Sequence, residues 1–388
     1  MNVVFLSPNF PPNYYLFPVR LREEGVNALG VGDVPWEHLR PELQAALSDY
    51  VHVPDMNQYE GVLRALGLLT HRYGKIDGVD SNNEHWLSTE ASLRRDFNIP
   101  GQLPQQLAVN RSKWQMKNVF ASNEIPCGAG QRVSKKEDAR RFAEGHRFPL
   151  IVKPDVGVGA GGTFRLDDIE SLEALRGEDL EDVVIEEFLE GTLVSFDGLT
   201  DLSGEIIFCT SHVFNDGIME VVATRGPMHY YSLREIPADL ERLGRKTVKA
   251  FAIRGRFFHI EYFRLADESL RALEVNVRPP GGFTTDMMNY AADIDVYELW
   301  AKVVSGKDVA ANNFERKYHA AHVSRRYHRS YLVPHEALLE RFGQMLMAHR
   351  DMPQALSGAM GDYVYLIRSP HLDDLRKAIA EAEREVEG

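Results

Sequence analysis

Four short apolar runs punctuate the first hundred or so residues: VVFLSP, NALGVGD, YVHVPD and KIDGVDS. Each ends in turn-forming residues. Between them lie stretches such as FPVRLREEG and YEGVLRALGLLTHRYG, whose apolar positions recur at helical spacing. Strands that alternate with helices build a parallel sheet covered on both faces, so the fold class is α/β with a Rossmann-like N-terminal domain. Ligands of such sheets collect at the carboxyl ends of strands, here near SPNF and DSNNEHW. No G-x-G-x-x-G follows the first strand, which argues against a dinucleotide site.

From about Asn110 the texture changes. RSKWQMKNVFASNEIP reads as an amphipathic helix stopped at a proline, and PLIVKPDVGVGAGGTFRL as a strand, a glycine-rich loop and a second strand. Strands are expected at DVVIEEFLEG, GEIIFCT, EVVATRG, RFFHIEYFRL and LRALEVNV, and helices at DIESLEALRG, DLERLGRKTVKAFA and DVYELWAKVVSG. The tail, with a strand-like GDYVYLIRS and a final acidic helix, reads as a small appended α+β domain. A chain of 388 residues is long enough for two or three such units. Its net charge of −13 argues against general nucleic-acid affinity, although a local basic pocket can still take an anionic small molecule. No apolar run is long enough to cross a bilayer, and MNVVFLSPNF lacks the basic start of a secretion signal, so a cytoplasmic protein is expected. Cys127 and Cys209, far apart in sequence, are expected to be reduced packing residues.

The chemistry concentrates in LEVNVRPPGG, residues 273–282. Side chains of a strand repeat every second residue, so Glu274, Asn276 and Arg278 share one face while Val275 and Val277 fill the other. HIEYF places Glu261 on the preceding strand, beside Glu274 across a hairpin. Two acids and an amide around one point repel each other without a cation, and hard oxygens of this kind suit magnesium with phosphate completing its shell. The bland alternative is a solvated face with an ion pair between Glu274 and Arg278.

Upstream, Gly157, Gly159, Gly161 and Gly162 crowd the loop between two strands, where bare backbone N–H groups can cradle phosphate. Lys153 ends the leading strand and adds a point charge. In VIEEFLEG an apolar strand runs into Glu186, Glu187 and a glycine turn, placed to meet a heterocycle.

In this order, from Lys113 through VKP, EEFLEG and HIEYF to EVNVRPPGG, the chain resembles the ATP-grasp family over about residues 109–308. The resemblance implies a pre-ATP-grasp domain at 1–108, an ATP-grasp module at 109–308 with a glycine-rich lid at about 117–185, and a small domain at 309–388. It implies that Lys113 and Lys153 hold the phosphates of ATP under a loop running from Gly157 to Gly162. Glu186 and Leu189 would meet adenine through their backbone, with Glu187 nearby. Glu261, Glu274 and Asn276 would bind magnesium, and Arg278 would clamp the transferred phosphoryl group. One position departs from the pattern: Leu193 stands where members often carry a ribose-binding glutamate.

The implied activity is an ADP-forming ligation of a small carboxylate, such as an amino acid, to an amine through an acyl phosphate. Arg225 and His229 are candidates for substrate binding, against the alternative of a surface loop. A bicarbonate-activating enzyme like biotin carboxylase and a non-catalytic ATP-binding regulator remain alternatives. A homodimer is the default assembly. The histidines and arginines of HAAHVSRRYHRSYLVPH match no zinc spacing and read as a solvated strand or a substrate-facing edge, and the last helix reads as a solvated amphipathic helix.

Overall fold

The computed structural model describes residues 1–157, 162–215, 226–310 and 314–386. Strands β1 (Asn2–Leu6), β2 (Asn27–Gly32), β3 (Asp49–His52) and β4 (Gly78–Asp80) form the expected parallel sheet, in the order β3-β2-β1-β4. A second sheet, antiparallel and ordered β5-β8-β6-β7, comprises β5 (Gly130–Val133), β6 (Leu150–Pro154), β7 (Phe164–Leu166) and β8 (Val183–Glu187). The remaining strands are β9 (Thr192–Thr200), β10 (Ile206–Phe214), β11 (His229–Ser232), β12 (Phe257–Arg264), β13 (Leu270–Asn276), β14 (His319–Arg325), β15 (Leu346–Asp351) and β16 (Tyr363–Ser369). They make one antiparallel sheet in the order β13-β12-β9-β10-β11-β14-β16-β15.

The C-terminal strands continue this central sheet, because β14 pairs with β11 from His229↔Val323 to Tyr231↔Ala321. The expectation of a solvated strand or substrate-facing edge at SRRYHR fails for Ser324, Arg325 and Arg326, which are buried, while Tyr327 and His328 are exposed. Among the described residues β14 lies between β11 and β16, and Ala320 through Arg325 are buried. Its basic ending is tolerated because backbone carbonyls take the guanidinium donors. Arg325 donates to Ala382 and Val333 at 2.8 and 2.9 Å, and Arg326 donates to Gly226 at 3.3 Å. The last helix, Leu372–Glu383, is amphipathic but not simply solvated, since Leu375, Ala378, Ile379 and Ala382 pack against this end of the sheet. The strand expected at EVVATRG lies, apart from Gly226, outside the described residues. Strand β9 was not anticipated.

The N-terminal sheet is fastened to the central one by an aromatic core and an ion cluster. Phe17 sits among Phe5, Phe257, Tyr297 and Trp300, with ring centroids 4.8–6.0 Å apart. Arg256, at the start of β12, reaches Asp80 at 3.2 Å and Glu90 at 2.9 Å, and Arg94 joins Glu90 at 3.1 Å. All four side chains are buried. Asp80, at the carboxyl end of β4, is thereby pinned to the residue that precedes β12.

Removing one partner leaves buried charge uncompensated. Arg256→Met is therefore expected to destabilise the protein by about 3 kcal/mol or more, read as a fall in the urea midpoint. An unchanged midpoint would show that the cluster contributes nothing.

Candidate active site

Strands β12 and β13 set Glu261 directly opposite Glu274. A bulge decides where these side chains point. Tyr262 pairs with Ala272 and Glu261 with Glu274, so Leu273 is the extra residue. On one side of it Leu270 and Ala272 enter the hydrophobic core, and on the other Val275 and Val277 do. The inward positions thus switch from even to odd numbers. Without the bulge Glu274 and Asn276 would face that core; with it they face the cleft beside Glu261.

Cations surround the pair. Lys113 Nζ lies 3.8 Å from Glu274, and Lys153 and Arg278 are both close enough for their charges to act on the two carboxylates. Burial and the neighbouring Glu261 push the Glu274 carboxyl above its ordinary pKa despite Lys113. Burial also opposes ionisation of Glu261, but the hydrogen bond and positive charge of His259 hold it below the ordinary value. Among the described residues no three His, Cys, Asp or Glu side chains form a metal cage. Two facing carboxylates with Asn276 beside them nevertheless fit magnesium, whose remaining positions phosphate oxygens would fill.

The two lysines are held in register by Asp155. Asp155, next after the VKP of β6, accepts from Ser112 Oγ at 2.8 Å and from Trp114 N at 2.8 Å, while Lys113 N donates to the Asp155 carbonyl at 2.9 Å. It caps the helix Lys113–Ser122 and so ties Lys113 to the strand carrying Lys153. Lys113 Nζ also lies 3.4 Å from the Gly157 carbonyl at the start of the glycine-rich loop. Lys153 forms an ion pair with Glu186, whose other oxygen takes Lys117 at 2.8 Å. Although burial works against its charge, these two lysines hold the Glu186 carboxyl down at about 2.

Beside Glu261, on the same face of the sheet, lies a cluster that sequence inspection missed. Asp197 on β9, wholly buried, faces His259 Nδ1 at 2.5 Å and His212 Nδ1 at 2.7 Å and accepts from Ser195 Oγ. His259 Nε2 in turn lies 3.3 Å from Glu261. Burial disfavours a charged imidazole, but Asp197 and Glu261 push His259 up to about 9. Protonated, it bridges the two acids and fixes the direction of Glu261.

The opposite wall comes from the strand ends anticipated in the N-terminal sheet. Glu84 meets Arg278 Nε at 3.0 Å, and Asn13 donates to Asp286 at 2.6 Å just beyond the PPGG turn. From the C-terminal segment, Met360 packs over Gly282 and Arg350 lies 4.7 Å above the Phe283 ring.

Several anticipated residues stand elsewhere. The backbone of Glu186 is enclosed in the sheet between Gly130 and Ile151, so its side chain, rather than its backbone, reaches the other charges. Glu187 pairs through Oε2 with Ala129 N at 2.8 Å, and Leu189 packs against Gly128 at the strand's end. Gly162 adopts a left-handed φ of 71° over Pro154. His229 does not join the cleft: it pairs with Glu383 at 2.8 Å, because its position on β11 faces the C-terminal helix while Tyr230 takes the other side. Leu193 is buried opposite Phe263. Gly159, Gly161 and Arg225 lie outside the described residues. Lys117 was findable, one helical turn after Lys113 on the same face.

Residues 110–282 match the ATP-grasp domain family. An L-arginine-specific L-amino acid ligase of Bacillus subtilis is 26% identical over 65% of this chain and 63% of its own length. A D-alanine–D-alanine ligase of Streptomyces griseus is 28% identical over 46% of this chain and 50% of its own. The chain thus spans less than two thirds of either relative. The crystal structure of an L-amino acid ligase from Bacillus licheniformis superposes with a TM-score of 0.75 at 16% identity, covering 100% of this chain and 98% of the other, so the two share a fold.

A carboxyl whose folded pKa is depressed stabilises the protein fully above its unfolded value and loses that contribution as pH falls through the folded one. Glu186, at 4.5 unfolded and about 2 folded, should therefore contribute stability at neutral pH that disappears on acidification across this window. In Glu186→Gln, the fall in urea midpoint between pH 5 and pH 2 should be smaller than in the parent protein. Parallel profiles would refute the assignment.

Proposed function

We propose that this chain, which carries an ATP-grasp domain at residues 110–282, is an ADP-forming ligase joining a small carboxylate to an amine. The supporting observation is the Glu261–Glu274 pair, aligned by β-register and ringed by Lys113, Lys153 and Arg278. The named activities of the relatives point the same way, and an amino acid is the favoured carboxylate.

The roles follow from charge and position. Lys113 and Lys153 hold ATP phosphates beneath the loop that begins at Gly157 and ends at Gly162. Glu261, Glu274 and Asn276 would hold magnesium, which when bound supplies charge neutralisation to the phosphate oxygens. Arg278, now on Glu84, is free to exchange that partner for the substrate carboxylate. A carboxylate oxygen attacks the γ-phosphorus, the bond to the β-phosphate oxygen breaks, and ADP leaves an acyl phosphate. The amine then attacks the carbonyl carbon, the C–N bond forms, phosphate departs with the C–O electron pair, and the amine proton passes to solvent. Neither step needs a protein nucleophile. Arg278 and the lysines act by positioning and by stabilising charge as it moves. The corresponding division of the chain is 1–108, 109–308 with the lid at 117–185, and 309–388.

ADP release screened over pairs of amino acids, with mass detection of the product, tests this assignment. A condensed product supports it. Turnover that needs bicarbonate and biotin, or ATP binding without turnover, would replace it with a carboxylase or a sensor.

Glu274→Ala should lower turnover by about a thousandfold, yet leave the thermal midpoint unchanged or higher, because Glu261 loses a like-charged neighbour. Full turnover under limiting magnesium would remove Glu274 from the site.

A further inference from the structure

The far end of the central sheet holds a cavity of about 460 Å³. Its lining includes Arg325, Tyr331, His335, Tyr363 and Tyr365, together with Asp351, whose carboxylate accepts from the Tyr327 hydroxyl. It is separate from the cleft described above. Val323 and Ile367, the neighbours of its lining residues on β14 and β16, pack on the face covered by the last helix. Val364 and Leu366 instead turn toward Phe283 and the PPGG side. The sheet itself divides the two places.

Arg325 is the informative residue. It is 6% exposed and makes no ion pair with an acid among the described residues; the Tyr365 hydroxyl lies near enough to favour its charge, but Nη2 has no hydrogen-bond partner of ordinary geometry there. Its guanidinium lies 4.4 Å from the Tyr331 ring centroid and 5.8 Å from that of Tyr365. Rings offset part of the cost of burying a cation but do not neutralise it. Arg329 is answered by Glu385 at 2.6 Å and Arg326 by Asp362 at 3.9 Å, so of the three arginines lining the cavity Arg325 is the one without an acid paired to it among the described residues. Beside it Tyr363 and Tyr365 stand 5.3 Å apart, with the His335 ring 5.0 Å from Tyr363. A buried guanidinium needing an anion opens onto a hollow walled by rings.

We infer that this cavity is a second ligand site, selective for a small anion bearing a planar ring. The anionic group, carboxylate or phosphate, meets Arg325, and the ring lies against Tyr363 and Tyr365. A bidentate acceptor would use the Nη2 left open by the donors to Val333 and Ala382.

Isothermal titration of the full chain with benzoate, phenyl phosphate, acetate, inorganic phosphate and benzyl alcohol separates these requirements. Benzoate or phenyl phosphate should bind, and whichever binds more tightly identifies the anionic group. Acetate, inorganic phosphate and benzyl alcohol should bind about tenfold more weakly or not at all. Arg325→Met should weaken the ring-bearing anion by at least about tenfold. Tyr363→Leu should weaken it while leaving every Arg325 hydrogen bond in place, and it carries the comparison if Arg325→Met fails to fold. Arg278→Ala, which alters only the cleft, should bind as the parent does. No binding by either ring-bearing anion, undiminished binding in Tyr363→Leu, or loss of binding in Arg278→Ala would overturn the assignment.

Discussion

Everything at the cleft depends on one pairing: two carboxylates set opposite each other by an antiparallel hairpin. Side by side and poorly solvated, Glu261 and Glu274 disfavour their own charged forms, and a fold built for stability alone would not hold them there. The rest of the site can be understood as what makes the pairing tolerable. Lys113, Lys153 and Arg278 supply opposite charge, and protonated His259 answers Glu261 from the neighbouring position on the same face. The residual mismatch, seen in the raised pKa of Glu274, is an electrostatic demand that a divalent cation would meet.

The lysines of the site are tied to the sheet that holds β6 and β8. Through Asp155, the segment that follows strand β6 caps the helix that carries Lys113, so Lys113 and Lys153 belong to one mechanical unit. Through Glu186, the same unit stores Lys153 against a carboxylate. A polyphosphate entering the cleft competes with Glu186 for Lys153 and with Glu274 for Lys113. Binding is therefore an exchange of ion pairs, which lowers the desolvation each lysine must undergo when ligand arrives.

The part of this legible in sequence was whatever rests on short-range rules. Strand–helix alternation gave the parallel sheet, and the two-residue spacing of Glu274 and Asn276 gave a shared face. The bulge at Leu273 was not legible, because LRALEVN reads as an uninterrupted strand until its partner is known. Asp197 escaped for a related reason: TLVSFDGLT mixes hydroxyls, an acid and a glycine with its apolar residues, and only pairing with β10 and β12 shows that it is a buried strand. Basic residues at the end of β14 suggested solvent, yet carbonyl groups brought near only by the folded chain allow Arg325 to be buried. Local pattern decides elements and faces, whereas long-range partners decide which polar residues go inside.

The central claim is that a divalent cation sits between Glu261 and Glu274 when nucleotide is bound. Anomalous diffraction at the manganese edge, from crystals grown with manganese and a non-hydrolysable ATP analogue, locates that ion directly. The account predicts a peak within about 2.5 Å of carboxylate oxygens from both residues. A manganese peak bound to the nucleotide but away from both carboxylates would contradict it.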